Sequence, residues 1–137
     1  MWVAPLGGQA FDGTLGARER ELAVLRTGWL CRSGDEWGRH VPMGPPAGLT
    51  DDEIARIPEG PGGPGWSDLD AAILRAADEL HEVSCISDPT WARLARELDE
   101  SQLTELVMLV GHGHLVSFAL NTLGIERGEA VVGLPDH

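Results

Sequence analysis

Glu36 and His40 stand four residues apart. On a helix, that spacing puts both side chains on one face with neighbouring Cβ atoms. A carboxylate beside an imidazole orients the ring and raises its pKa, which is how a general acid/base pair is prepared near neutral pH. The plainer alternative is an exposed ion pair, commonplace on helix surfaces. His112 and His114 form a second feature, set between glycines in Gly111-His112-Gly113-His114 within an apolar run. Two positions along a helix point to roughly opposite sides, so both rings reach one spot only if the helix is distorted. Each is read either as a buried, hydrogen-bonded imidazole or as a donor to a developing enolate or carboxylate oxygen. Glu36 and His40 with His112 or His114 would also supply three metal ligands with an open position, so a divalent metal is the alternative to cofactor-free chemistry. Cys31 is a thiol near this segment, read as a small buried side chain rather than a nucleophile. Arg39 is either a clamp for an anionic substrate or a solvated arginine. Trp37 reads as packing.

The elements that must position these residues read as helices punctuated by glycine and proline. No segment shows convincing strand alternation, and no glycine-rich phosphate loop follows a strand. The expected class is all-α. Leu22, Leu25 and Trp29 recur at helical spacing from Arg18 to about Cys31 or Ser33. Asp35 is the expected N-cap of a second helix, which Pro42, Pro45 and Pro46 end. Thr50 and Glu53 have capping-box spacing for a short helix over 50–57, and Ser67 with Asp70 starts another. The stretch 58–65, Pro-Glu-Gly-Pro-Gly-Gly-Pro-Gly, is a loop, read as a surface connection before a lid. Asp88 and Pro89 suggest the cap and first turn of the next helix, with Trp91, Leu94, Ala95 and Leu98 facing inward. Asp99 is the expected cap of the last helix, and Gly124 its left-handed stop. That helix is apolar nearly all round, which places it at the centre of the molecule or of an oligomer. Its apolar run over 106–123 contains two histidines, an asparagine and a threonine, and so reads as a buried helix rather than a membrane span.

The 137 residues suit a single domain over 1–137, with an irregular segment over 1–17 and a weakly ordered tail over 126–137. Ten basic and 22 acidic residues give a formal charge of −12. That balance argues against nucleic acid or an anionic membrane as partner, because both require clustered cations. The N-terminal stretch has neither a basic n-region nor an apolar h-region. Cys31 and Cys85 have no metal-knuckle spacing and read as reduced thiols, so the expected location is cytoplasmic.

Four blocks carry a resemblance: residues 12–40, ending in Glu36-Trp37-Gly38-Arg39-His40; residues 48–57; residues 66–81; and residues 86–125. In order and content they resemble the carboxymuconolactone decarboxylase family, and more closely its alkylhydroperoxidase D-like branch. The resemblance implies an all-α fold and a homo-oligomer, commonly a trimer or hexamer. It also implies a site between the Glu36–His40 helix and the last helix, completed across a subunit interface. Hydroperoxidase members carry Cys-x-x-Cys-x-x-x-His. Placed on His40, that pattern would need cysteines at Ser33 and Glu36, and dithiol reduction of a peroxide needs both sulfurs. Relatives of the Glu-Trp-x-x-His type often carry a tyrosine where this chain has Gly113.

The expected function is therefore a cofactor-independent lyase, decarboxylase or isomerase acting on a small carbonyl, lactone or carboxylate compound, of the kind found in secondary metabolism. His40 is the expected acid/base, Glu36 its orienting carboxylate, and His114, with His112, the oxygen donor. Two alternatives stand beside it: a metal enzyme using Glu36, His40 and His112 or His114, and a non-catalytic ligand-binding homo-oligomer.

Overall fold

The computed structural model describes residues 13–124 and 134–135. Among them are six α-helices, three single turns of 3-10 helix and no strand, so the all-α expectation holds. The irregular segment is seen only over 13–16. Residues 1–12 and nearly all of the expected tail lie outside the described residues.

Helix α1 (Ala17–Leu30) is the central element. All eight residues from Glu21 to Gly28 are buried, so the helix is covered on every side. Its polar members are buried because they are paired. Arg26 donates Nε–H to Asp78 at 2.7 Å and Nη1–H to the carbonyls of Ile57 and Pro58 at 3.0 and 3.2 Å. Of the two positions expected for the last helix, the centre of the molecule is thereby corrected. Helix α6 (Glu100–Leu123) packs one side on α1, and only 33% of its most apolar stretch is buried. It is long and apolar enough to cross a membrane by length and composition alone. Its outward face carries Leu115 and Phe118, 49% and 60% exposed.

Helix α2 (Gly34–His40) follows α1 after a tight reversal. Arg32 adopts φ 55°, and the Ser33 amide bonds back to the Gly28 carbonyl at 2.9 Å. The cap is Ser33, not Asp35: its hydroxyl accepts from the Glu36 amide at 3.3 Å. The reversal brings the chain into helical register two residues earlier than the carboxylate pattern suggests. Pro42, Pro45 and Pro46 fall in two 3-10 turns that carry the chain away.

Helix α3 (Asp51–Arg56) has the expected capping box between Thr50 and Glu53. Helix α4 (Asp68–Val83) starts at Ser67 as expected and presents Ala72, Ile73, Ala76 and Ala77 to the core. The loop between them is tied down by Arg26 at its start. Arg56 also bonds the Pro64 carbonyl and lies 4.9 Å over the Trp66 ring. These ties make it a pinned connection.

Helix α5 (Asp88–Leu94) is capped at Ser87 rather than Asp88, and a residue of α4 reinforces the cap. The Glu79 carboxylate accepts from the Ser87 amide at 2.7 Å and from the Thr90 hydroxyl at 2.7 Å. Packed against α4 through Thr90 and Leu94, so short a helix has only one inward stripe. Trp91 is consequently 41% exposed and Ala95 is exposed, against the expectation for both, whereas Leu94 and Leu98 are buried as expected. Asp99 caps α6 with Gln102, and Gly124 at φ 67° ends it.

Candidate active site

The α1–α2 pair packs closely because Gly28 has no side chain. A Cβ there would lie 3.2 Å from the Trp37 amide nitrogen and 3.3 Å from the Glu36 Cβ. This approach buries Trp37 and Glu36 and sets His40 beside α1. His40 donates Nδ1–H to Oε1 of Glu21, one turn inside the start of α1, at 2.7 Å. Glu21 is 4% exposed. The bond fixes the ring and leaves Nε2 as the nitrogen that exchanges a proton.

Burial of the His40 ring opposes its charge. The Glu21 hydrogen bond and charge, with the Glu36 charge behind them, outweigh that and hold its pKa above the ordinary imidazole value. Glu36 is also pushed up, chiefly by burial and further by Asp35, although His40, His112 and Arg39 pull it back. The cluster thus pairs an imidazole and a carboxyl that both hold a proton more firmly than usual. Perturbed titratable groups clustered in this way mark candidate proton-transfer sites.

Beside the dyad lies a cavity of about 480 Å³, lined by Leu15, Arg20, Glu21, Pro42, Met43 and Pro46 among others. Its lining is mostly apolar, with Glu21 and Arg20 as the charged groups. Leu15 is held in place because Oε1 of the buried Glu105 accepts from the amides of Thr14 and Leu15 at 2.8 and 3.2 Å. The other carboxylate oxygen of Glu105 pairs with Arg20 at 3.1 Å.

Helix α6 runs undistorted through both histidines, so the rings diverge as two-residue spacing requires. His112 is the one whose charge Glu36 feels. His114 turns toward α4: its Nδ1–H donates to the Val110 carbonyl at 2.8 Å, and its Nε2 accepts from His81 Nδ1 at 2.9 Å. Cys31, at the C-cap of α1, places Sγ 4.0 Å from that His81 nitrogen. Burial raises the Cys31 thiol, partly offset by the Ser117 side chain. Burial, followed by the charge of His114, lowers the His81 ring.

Four expectations are corrected by this arrangement. The carboxylate that orients His40 is Glu21, while Glu36 acts on it through charge. His114 belongs with His81 and Cys31 rather than with His40. The ligand set Glu36 and His40 with His112 or His114 does not assemble. Among the described residues, the ligand atoms that converge within 4.8 Å are those of Cys31, His81 and His114. Cys31 is not simply a small buried side chain, because it is half-buried against an imidazole. Arg39 pairs with Asp35 at 2.8 Å and is half-exposed, which suits the solvated reading.

Sequence reasoning missed Glu21 and His81. Glu21 had a signal: it lies four residues before Leu25 and seven before Gly28, on a buried helical face where a carboxylate needs a partner. His81, in the last turn of α4, had none beyond its type.

A model of the carboxymuconolactone decarboxylase family matches residues 1–79, which include Glu21, Ser33, Glu36 and His40. No curated protein matches the chain. A crystal structure from Agrobacterium tumefaciens, of a protein of unknown function described as a candidate antioxidant defence protein AhpD, superposes with a TM-score of 0.77. It is 14% identical, with 84% of this chain and 80% of that one covered, so the likeness is one of fold.

Proposed function

Because the chain belongs to the carboxymuconolactone decarboxylase family, we propose that it is a cofactor-independent proton-transfer enzyme acting on a small carbonyl, lactone or carboxylate compound. The observation that carries this reading is the hydrogen bond of His40 to Glu21, a residue of the cavity wall. In the base direction, His40 Nε2 takes a proton from a carbon beside a carbonyl, and the imidazolium is stabilised by Glu21. The resulting enolate then collapses with bond cleavage or is reprotonated at a different carbon. In a decarboxylation, the carbon–carboxylate bond breaks first, carbon dioxide leaves, and protonated His40 returns a proton to the carbanion. Glu36, held toward its neutral form, and His112 beside it are the proposed partners for the developing oxygen charge.

Dithiol peroxide reduction is not part of this reading. Ser33 and Glu36 stand where that chemistry would need sulfur, and the Ser33 hydroxyl caps α2. We further propose that copies associate through the outward stripe of α6.

The test is turnover of carboxymuconolactone and a panel of small lactones and 3-oxo acids, with deuterium uptake from heavy water followed by NMR. Positioned acid/base catalysis is typically worth about 10²–10⁴-fold, so His40→Ala should lose about that much in turnover and in deuterium uptake. Wild-type exchange rates in that variant would overturn the proposal.

A further inference from the structure

We propose that Cys31, His81 and His114 form a binding site for a divalent transition metal, with zinc favoured by the ligand chemistry. The three come from three helices: the C-cap of α1, the last turn of α4 and the middle of α6. None was brought together by sequence proximity. His81 and His114 lie beyond residues 1–79, which the family model matches.

The cluster is already close to the dimensions of a metal cage. The Cys31 Sγ to His81 Nδ1 distance is 4.0 Å and the His81 Nδ1 to His114 Nε2 distance is 2.9 Å. Tetrahedral zinc with bonds of about 2.3 Å to sulfur and about 2.0 Å to nitrogen needs ligand separations of about 3.6 and about 3.3 Å. Small rotations of side chains that are exposed or half-buried close the difference. His114 is preset for the role, because its Nδ1–H is committed to the Val110 carbonyl and its lone pair at Nε2 faces the cluster. A backbone carbonyl that fixes the tautomer of a ligating histidine is the usual supporting contact of such sites. One thiolate with two imidazoles selects zinc, cobalt or copper over magnesium and calcium. Three protein ligands leave one position for water or a small ligand.

Binding balances with the loss of one proton. The Cys31 thiol gives its proton to solvent as the sulfur–metal bond forms. The His81 proton moves from Nδ1 to Nε2 through solvent, freeing Nδ1 without changing the charge of the ring.

The site is tested on the full chain, purified without a histidine tag, reduced and stripped with a chelator. Titration with cobalt(II) should saturate at one equivalent and develop a thiolate-to-cobalt charge-transfer band, and zinc should then displace the cobalt. Cys31→Ser should abolish that band, while Cys85→Ser, at the other free thiol, should leave it. His81 is exposed, so His81→Ala keeps the fold by circular dichroism and should weaken binding at least tenfold. That variant decides the matter if Cys31→Ser does not fold. The proposal is overturned if stoichiometric binding is absent, if the band survives Cys31→Ser or is lost in Cys85→Ser, or if folded His81→Ala binds like wild type.

Discussion

At the scale of single residues, the chemistry depends on which carboxylate holds His40. Glu21 does so directly at 2.7 Å, and its bond and charge are the leading forces raising the ring's pKa. Glu21→Gln keeps the shape and removes the charge, so the pKa of His40 should fall. In the rate–pH profile, the limb that belongs to His40 should move to lower pH, whether the ring acts as acid or as base. An unmoved limb would mean that another group titrates there. Glu36 makes the opposite kind of prediction, about stability. Burial lifts its pKa in the folded chain above the unfolded value. Its folded form therefore resists ionisation, and the fold loses stability as pH rises from the ordinary carboxylate range through the raised value. Glu36→Gln removes that loss. Relative to wild type, the variant should gain thermal stability as pH rises above the ordinary glutamate value of about 4.3, where the unfolded carboxyl ionises and the folded one resists. Parallel melting curves across that range would contradict the burial argument.

At the scale of elements, the site is a consequence of how closely α2 approaches α1. Gly28 permits that approach, and Gly113 permits the same for α6, where a Cβ would come 2.9 Å from Cγ2 of Thr27. Gly28→Ala would press a methyl group against the Trp37 backbone, which cannot rotate aside, so α2 must shift by a few tenths of an ångström. Overpacking of this kind costs about 1–3 kcal/mol. Part of it is offset by the roughly 0.5–1 kcal/mol by which alanine is favoured over glycine within a helix. The melting temperature should thus fall by several degrees at most, while turnover falls, because Glu36 and His40 move together relative to Glu21. A misplacement of about 1 Å can cost about 10²-fold in rate, so a smaller loss is expected here. Full activity in a folded Gly28→Ala protein would show that the α1–α2 spacing does not govern the site.

At the scale of the whole molecule, two features oppose each other. Met108, Leu115 and Phe118, spaced seven and three residues apart, form an outward stripe on α6, with Phe118 60% exposed. Gly111 lies on the same stripe and faces open space. Burying such a stripe against another copy gains roughly 25 cal/mol for each Å² of apolar surface covered. Against this, each copy carries a formal charge of −12, and like-charged copies repel until salt screens them. The proposed association should therefore strengthen with ionic strength. Light scattering should give a mass well above the 14.7 kDa of one chain in moderate salt, and Phe118→Glu should lower it. A monomer at every salt concentration would remove the proposal.

Much was legible in the sequence because it depends on local chemistry. Helix periodicity, the capping box at Thr50, the cap at Asp99 and the stop at Gly124 depend on residues within a turn or two of each other. So does the divergence of His112 and His114. The Glu-Trp-x-x-His element marked the helix that carries the candidate site. What only the tertiary structure decided is which distant groups meet. Glu21 and His40 are 19 residues apart, and Cys31 and His81 are 50 apart. Such contacts are set by the packing of α1 against α2, α4 and α6, not by spacing along the chain. The same packing made α1 the centre, since its polar residues find buried partners there, and left α6, the more apolar helix, with one face uncovered.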